Sequence, residues 1–408
     1  MLGVAAVAYF IAVSQRSSLG VATLIASQRF NTNAQQLATL AVFQLVVYAA
    51  MQIPVGILLD RFGAKKLLAI GAFIMAAGQL TVALAPSLGI AVLGRMLVGM
   101  GDSFTFISMI RMVNGWYSGS KSTKVQQYIS SGGQLGQFFS AVPFWFMLEN
   151  LGWTAGFAIM SAASIVTLGL IIVFTSDDAH PGEVQHQAES IRHAIGQLKE
   201  NIKNPGIRMA FWTHFVTQPT TTSVALLWAV PFLVTAEHQS HDFAAFTLTS
   251  MVFFGFITGP IIGSWCAKRP EQRAALVYSV VAATSITWLF IVFQTGQIQA
   301  GVLYGAFLVI SIGGPASMIA FDFSKDIVPK SKLGTANGFA NVGGFLATFV
   351  MMYLTGLVID LVHQTNGGLE RYTIEGFRWG FSSQLIVVLI GITFFTIERR
   401  RFLARKSE

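Results

Sequence analysis

Apolar runs long enough to cross a bilayer recur along almost the whole of this chain. About 20 residues of helix span roughly 30 Å of hydrocarbon. Runs of that order can be drawn at 2–26, 35–59, 66–85, 89–115, 125–148, 153–174, 208–235, 243–266, 274–294, 299–324, 333–361 and 377–398. Inside lipid the backbone must satisfy its own hydrogen bonds, so only helices and closed barrels span. Runs that are continuously apolar, rather than alternating, select helices. The expectation is an all-α membrane protein with twelve transmembrane helices. Composition agrees: 11% of the residues are charged, against about 25% in a soluble domain. The 34 Phe and 39 Gly suit helices packed closely in lipid. The single cysteine, Cys266, excludes an internal disulfide and is expected to be a packing residue.

A formal net charge of +8 would suit a nucleic-acid partner if it formed a patch, but its placement excludes that reading. Twenty of the 26 Lys and Arg residues fall in one set of loops and the C-terminal tail, from Arg61, Lys65 and Lys66 through to Arg405 and Lys406. The opposite loops hold only Arg29, Arg371 and Arg378. The positive-inside rule then places both termini in the cytoplasm of a cell with this protein in its inner membrane. An odd number of spans would scramble the sorting. The first run lacks a basic leader and reads as an uncleaved membrane helix.

The hydrophobicity stops between Ser176 and Arg208, and Asp177-Asp178 opens a polar stretch containing His180, Pro181 and Gly182. This predicts an N-terminal six-helix bundle over 1–175, a cytoplasmic linker with a short amphipathic helix over 176–207, and a C-terminal six-helix bundle with a basic tail over 208–408. The halves resemble each other at a constant offset of 211 residues. Ser120-Lys121 aligns with Ser331-Lys332, Gly132-Gly133 with Gly343-Gly344, Leu135 with Leu346, and Glu149 with Asp360. Internal symmetry of this kind marks transporters built from repeats.

After the second run comes Gly56-Ile-Leu-Leu-Asp60-Arg61-Phe-Gly63-Ala64-Lys65-Lys66. Gly56 lets its helix approach a neighbour closely, Gly63 suits a tight turn, and Asp60 can complement helix dipoles. The segment resembles the loop signature Gly-x-Leu-x-Asp-Arg-x-Gly-Arg-Arg/Lys of the major facilitator superfamily, with Ala64 where the family usually has arginine. Arg95, Gly99 and Gly101 on the fourth run are similar to that family's Arg-x-x-x-Gly-x-Gly pattern. The equivalent loop of the second half, Gly259 to Arg269, keeps glycines and charge but lacks the aspartate. The resemblance implies the major facilitator fold, two pseudo-symmetric bundles working as a monomer. It also implies that Gly56, Asp60, Arg61, Gly63 and Arg95 govern the conformational cycle rather than touch cargo.

Polar stripes identify candidate cargo-binding residues. Positions three, four and seven apart share a helix face. The first run offers Tyr9, Arg16, Gly20, Thr23 and Ser27; the second Gln44, Tyr48 and Gln52; the fifth Gln127, Ser130, Ser131 and Gln134. The seventh offers His214, Gln218, Thr221, Thr222 and Trp228, with Pro219 as an expected kink, and the eleventh offers Asn337 and Asn341. For any single one of these, hydrogen bonding between helices is the competing explanation. Arg16 stands out, because a guanidinium mid-membrane costs roughly 2.5–3.5 kcal/mol on insertion scales and cannot be neutralised. The segment from Tyr9 to Ala22 resembles the first helix of the superfamily's organic-anion branch, with a longer tyrosine-to-arginine spacing. That resemblance implies that Arg16 binds an anionic group of the cargo; the alternative is an internal pair with Asp102. In the seventh run the stretch Phe211-Trp212-Thr213-His214-Phe215 carries His214 and no arginine, so one fixed positive charge favours a carboxylate over a phosphate dianion.

Asp102 lies seven residues after Arg95 and is the one acid near mid-membrane in the first half. It reads either as a proton carrier or as a static partner of Arg95 or Arg16. His214 has an imidazole that ordinarily titrates near neutral pH, so it reads as a second proton carrier or as a hydrogen-bonding residue. The 211-residue offset maps Arg111 onto Asp322, opposite charges suited to a state-dependent gate; Arg111 with Asp60 is the structural alternative. Together these features point to secondary active transport of a small organic anion, a carboxylate rather than a phosphate, with a proton as candidate co-substrate. Alternatives are a uniporter for peptides or sugars, a proton-driven drug or metabolite exporter, and a non-transporting sensor. No Gly-x-x-x-x-Gly-Lys-Ser/Thr loop supports ATP drive, no catalytic cluster suggests an enzyme, and no cofactor or metal is expected.

Overall fold

The computed structural model describes residues 2–116, 125, 129, 132–133, 135–176, 196, 199–328, 333–367 and 370–407. Among the described residues the regular structure is helical, and eleven helices are long and apolar enough to cross a membrane. The first four are α1 (Leu2–Phe30), α2 (Ala34–Phe62), α3 (Ala64–Leu84) and α4 (Leu88–Trp116). Then come α5 (Pro143–Phe174), α6 (Pro205–Ser223), α7 (His241–Lys268) and α8 (Arg273–Phe293). The tenth apolar run appears as three pieces, α9 (Ala300–Ser311), α10 (Gly313–Ser317) and α11 (Ile319–Ile327), followed by α12 (Leu333–Thr365) and α13 (Ile374–Ser407).

Where these helices depart from the expected runs, a residue explains it. Six residues of 125–148 lie outside the described residues, and its end enters α5, which breaks at Gly152 with φ 77° and ψ 175°. That left-handed φ favours glycine and separates the fifth run from the sixth. Pro219 sits inside α6, and the irregularity comes later than the expected kink, in π turns at Val224–Trp228 and Phe232–Ala236. Pro231, between them, has no N–H to continue the ladder. The tenth run breaks around Gly313-Gly314-Pro315, where Gly313 lies directly against the Thr217 carbonyl and the Thr221 hydroxyl of α6.

The chain divides into two compact units, each described by itself. The first comprises Met1–Asn31 and Phe43–Ile191; the second comprises Thr32–Val42 and Arg192–Glu408. In the first, α3 packs on α4 and α5 through a core that includes Leu67, Leu68, Phe104, Met109 and Met112. Small residues set that packing distance. A Cβ on Gly101 would stand 2.5 Å from the Gly71 carbonyl oxygen and 2.7 Å from the Met75 backbone nitrogen. In the second unit, α6 packs on α12 and α13 around Val277, Val280, Met351 and Phe395.

Charges near the ends of the second unit's helices are paired. Glu398 is buried, forms an ion pair with Arg208 at 2.8 Å and accepts a hydrogen bond from Arg401 at 2.7 Å. Arg273 binds Asp326 and donates from Nε to the Cys266 carbonyl at 3.2 Å. Cys266 itself is a buried free thiol, as its reading as a packing residue requires.

The glycine contact predicts a specific stability pattern. Gly101→Ala is expected to lower thermal stability in detergent by about 1–3 kcal/mol, because backbone must move. Gly89→Ala, also on α4 but with nothing within 4 Å of the new Cβ, is expected to leave the melting temperature unchanged or slightly raised.

Candidate functional site

The buried charges of the first unit gather around α1. Arg16 forms a two-point ion pair with Asp102 of α4, Nε donating to Oδ2 at 2.6 Å and Nη2 to Oδ1 at 2.8 Å. Parallel bonds of this kind use the guanidinium's planar fork. The acid is sealed, with its side chain 1% exposed, while that of Arg16 retains 16%. The Tyr48 ring of α2 lies 4.8 Å from the guanidinium carbon, within cation–π range. Tyr9, one further stretch along α1, packs its ring 5.3 Å from Phe106 and fits against Gly133.

The backbone that carries Arg16 is itself fixed. Arg95, fully buried on α4, donates Nη1 to the Gln15 carbonyl at 3.2 Å and to Ser18 Oγ at 3.1 Å. Its Nη2 donates to the Arg16 carbonyl at 3.0 Å. Gln15 donates its amide to the Met160 carbonyl at 2.9 Å and to the Ser164 hydroxyl of α5. The Arg16 carbonyl is therefore held by α4, the adjoining Gln15 side chain is held by α5, and the Arg16 side chain is aimed at Asp102. Arg95, assigned from its motif to conformational control, acts locally by bonding α1. Gln44 is buried with Nε2 unpaired, and its backbone carbonyl lies against Gly99.

In the second unit, His214 of α6 is buried, with its ring 5.2 Å from Phe321 and its Nδ1 lacking a partner. Gly344 of α12 passes so close to His214 and Gln218 that no side chain would fit there. Thr221 donates to the Ile310 carbonyl at 2.6 Å. Gln218 and Asn341 are half-buried.

Gln127, Ser130, Ser131 and Gln134 lie outside the described residues, as do the surroundings of Gly56 and the side chains of Asp60 and Arg61. Gly63 adopts φ 80° and ψ 166° just before α3, the conformation for which a glycine was expected. Arg111 belongs to the first unit and Asp322 to the second, both half-buried. Most of the linker likewise lies outside the described residues.

A model of the Major Facilitator Superfamily matches residues 5–324. The chain belongs to that superfamily. Its curated relatives include a probable sulfoacetate transporter of Cupriavidus necator, 23% identical over 88% of this chain and 87% of that protein. A hexuronate transporter of Bacillus subtilis is 22% identical, with 91% and 90% covered. Sialin of Ovis aries is 25% identical, with 76% and 67% covered. Among solved structures, a bacterial homologue of the human lysosomal transporter Spinster superimposes with a TM-score of 0.78 at 14% identity, covering 99% of this chain and 97% of that one. That likeness establishes the fold, and membership of the superfamily makes the chain a multi-pass integral membrane transporter rather than an enzyme. The match extends from α1 into α11, so it includes Arg16, Arg95 and Asp102.

Gln15, Ser18 and Ser164 were not legible as supports from the sequence. Gln15 precedes the striking charge and could have been flagged as a polar neighbour, but its partners on α5 depend on packing.

The geometry predicts strong coupling between the two charges. Arg16→Met and Asp102→Asn are each expected to destabilise the protein by about 3–5 kcal/mol, since each strands a desolvated group. The double variant is expected to recover about 1–3 kcal/mol of the summed loss, read as melting temperatures of the four proteins.

Proposed function

We propose that this chain is a proton-coupled secondary transporter of small organic anions, carboxylates above all, working by alternating access as a monomer in the cytoplasmic membrane with both termini inside. Arg16 is the anion-binding residue; Tyr9, Gln44, Tyr48 and Gln134 of the first half and His214, Gln218 and Asn341 of the second are its fellow cargo-binding residues. The two halves, 1–175 and 208–408, are the moving bodies and 176–207 connects them. Gly56, Asp60, Arg61, Gly63, Arg95, Arg111 and Asp322 govern the cycle.

The observation that carries this reading is the closed Arg16–Asp102 pair, with Arg95 next to it. Two guanidinium groups and one carboxylate give the cluster a formal charge of +1. A cargo carboxylate can take the place of Asp102 on Arg16 if Asp102 binds a proton as it lets go. The cluster then still carries +1, now from two guanidinium groups, one cargo carboxylate and a neutral Asp102. Charge in a low-dielectric interior is conserved through the exchange, which avoids the Coulombic cost of an added anion. Stoichiometry follows: one proton per carboxylate. The residual exposure of Arg16 gives a cargo group somewhere to begin the exchange. The names of the relatives support an anionic cargo, since sulfoacetate and hexuronates are both organic anions. His214 in place of a second cationic side chain favours a single negative charge.

Thermal shift provides the test, because binding raises the melting point by mass action. The purified protein is screened at pH 5.5 and 7.5 against D-glucuronate, sulfoacetate, a neutral dipeptide, D-glucose and glucose 6-phosphate. A carboxylate or sulfonate shift is expected, up to about tenfold tighter per pH unit lowered, absent in Arg16→Ala and independent of pH in Asp102→Asn. A shift that survives Arg16→Ala, or one given by D-glucose alone, overturns the proposal.

A further inference from the structure

The last helix outruns the hydrocarbon core. Between Arg378 and Arg399, α13 carries no charged residue. At about 1.5 Å per residue that stretch is about 31 Å long, which matches a core of about 30 Å. Arg378 marks one edge and donates to the Gly296 carbonyl at 2.6 Å. Past Arg399 the helix continues to Ser407, about 12 Å further, so its last two turns stand at and beyond the head groups of one leaflet. Residues 399–406 there include Arg399, Arg400, Arg401, Arg405 and Lys406 and no acid. The counterpart in the first unit, α5, ends at Phe174 with no basic residue in its last turn. The internal repeat therefore does not account for this basic end.

The extension is anchored to the second unit rather than free. Phe402 packs on Gly206 at the start of α6, where a Cβ would stand 2.9 Å from its ring. The buried Glu398 pairs with Arg208 and accepts from Arg401, and Arg208 also donates to the Ile202 and Lys203 carbonyls at 2.9 and 3.0 Å. Those contacts use Arg401 and leave Arg399, Arg400 and Arg405 with no ion pair among the described residues.

Periodicity gives the unpaired charges a direction. The exposed positions Ile386, Ile390 and Thr393 are spaced by four and three residues, the stripe by which α13 meets lipid. The same spacing continues through Ile397 to Arg400, which is exposed. Leu403, 48% exposed, lies three residues after Arg400 and four after Arg399, so an apolar side chain shares their side of the helix. Such a grouping suits the boundary between acyl chains and head groups, where arginine stems lie along apolar surface and the charged ends reach outward. Arg405, five residues after Arg400, points elsewhere.

We propose that Arg399 and Arg400 form a binding site for the phosphate group of an anionic phospholipid, with Leu403 seated against the start of its acyl chains. A guanidinium fork matches two phosphate oxygens, and the head group must carry net negative charge because two cations with no acid beside them face it. The proposal rests on α13 spanning the bilayer and not on the cargo, so failure of the cargo reading leaves it standing.

Native mass spectrometry of the full-length protein in detergent tests the site, with dissociation constants measured for palmitoyl-oleoyl phosphatidylglycerol and for the corresponding phosphatidylcholine. Phosphatidylglycerol is expected to bind about tenfold or more tightly than phosphatidylcholine, since each basic residue near an anionic surface contributes roughly fivefold. The double variant Arg399→Gln/Arg400→Gln is expected to lose that preference. Arg405→Gln/Lys406→Gln removes the same charge from the same helix and is expected to change it by at most about twofold. Arg400→Gln alone, at an exposed position, is expected to lose roughly fivefold and serves should the double variant fail to fold. Inorganic phosphate, which has no chain for Leu403, is expected to leave the bound phosphatidylglycerol in place. Equal affinity for the two lipids would overturn the proposal, as would equal losses in the two double variants, which would mean attraction to overall charge. Displacement by equimolar inorganic phosphate would mean a site for a soluble ion and would overturn it too.

Discussion

A guanidinium surrounded by hydrocarbon needs an anion, and most of what is distinctive in the first unit follows from meeting that need at Arg16. Asp102 supplies the charge through two short bonds, but a pair alone does not fix where the group sits on its helix. Arg95 and Gln15 do that by bonding the backbone and flanking side chains of α1 to α4 and α5. Arg95 is itself a buried cation, and its cost is offset by three oxygen acceptors rather than by a second acid. The result is a frame that fixes both partners of one ion pair. An ion pair kept that way is suited to a change of partner, since the surrounding frame stays in place when the partner leaves.

The same lipid constraint explains why the architecture was readable from the sequence. Helices in hydrocarbon must be long and apolar throughout, so their number and approximate limits can be seen without knowing any contact. The loop glycine at Gly63 was legible for a similar reason, because a left-handed turn leaves few choices of residue. Arg16 and Asp102 were legible because charges are so scarce that each intramembrane one stands out, although composition could not decide between cargo and internal acid as the partner of Arg16.

What was not legible depended on which surfaces meet. Nothing in the local pattern around Gln15 distinguishes a side chain that bonds α5 from one that faces lipid or water. The π turns after Pro219 carry ordinary apolar residues, and the expected kink was displaced because a proline can sit in a helix whose irregularity is absorbed further along. Asp360 was noticed only as the symmetry mate of Glu149. Its bonds from the Ala34 and Gln35 N–H groups join two segments more than 320 residues apart in sequence, a distance over which no periodicity speaks.

Symmetry between the halves also breaks in an instructive direction. The first half keeps its buried charges near the middle of its helices, at Arg16, Arg95 and Asp102, whereas the described acids buried in the second half, Glu237, Asp360 and Glu398, lie toward helix ends. Deep charges interact strongly with anything that enters the low-dielectric interior, and charges at helix ends act on the positions of helices. The two copies have diverged in where their buried charges lie, deep within helices in the first half and toward helix ends in the second.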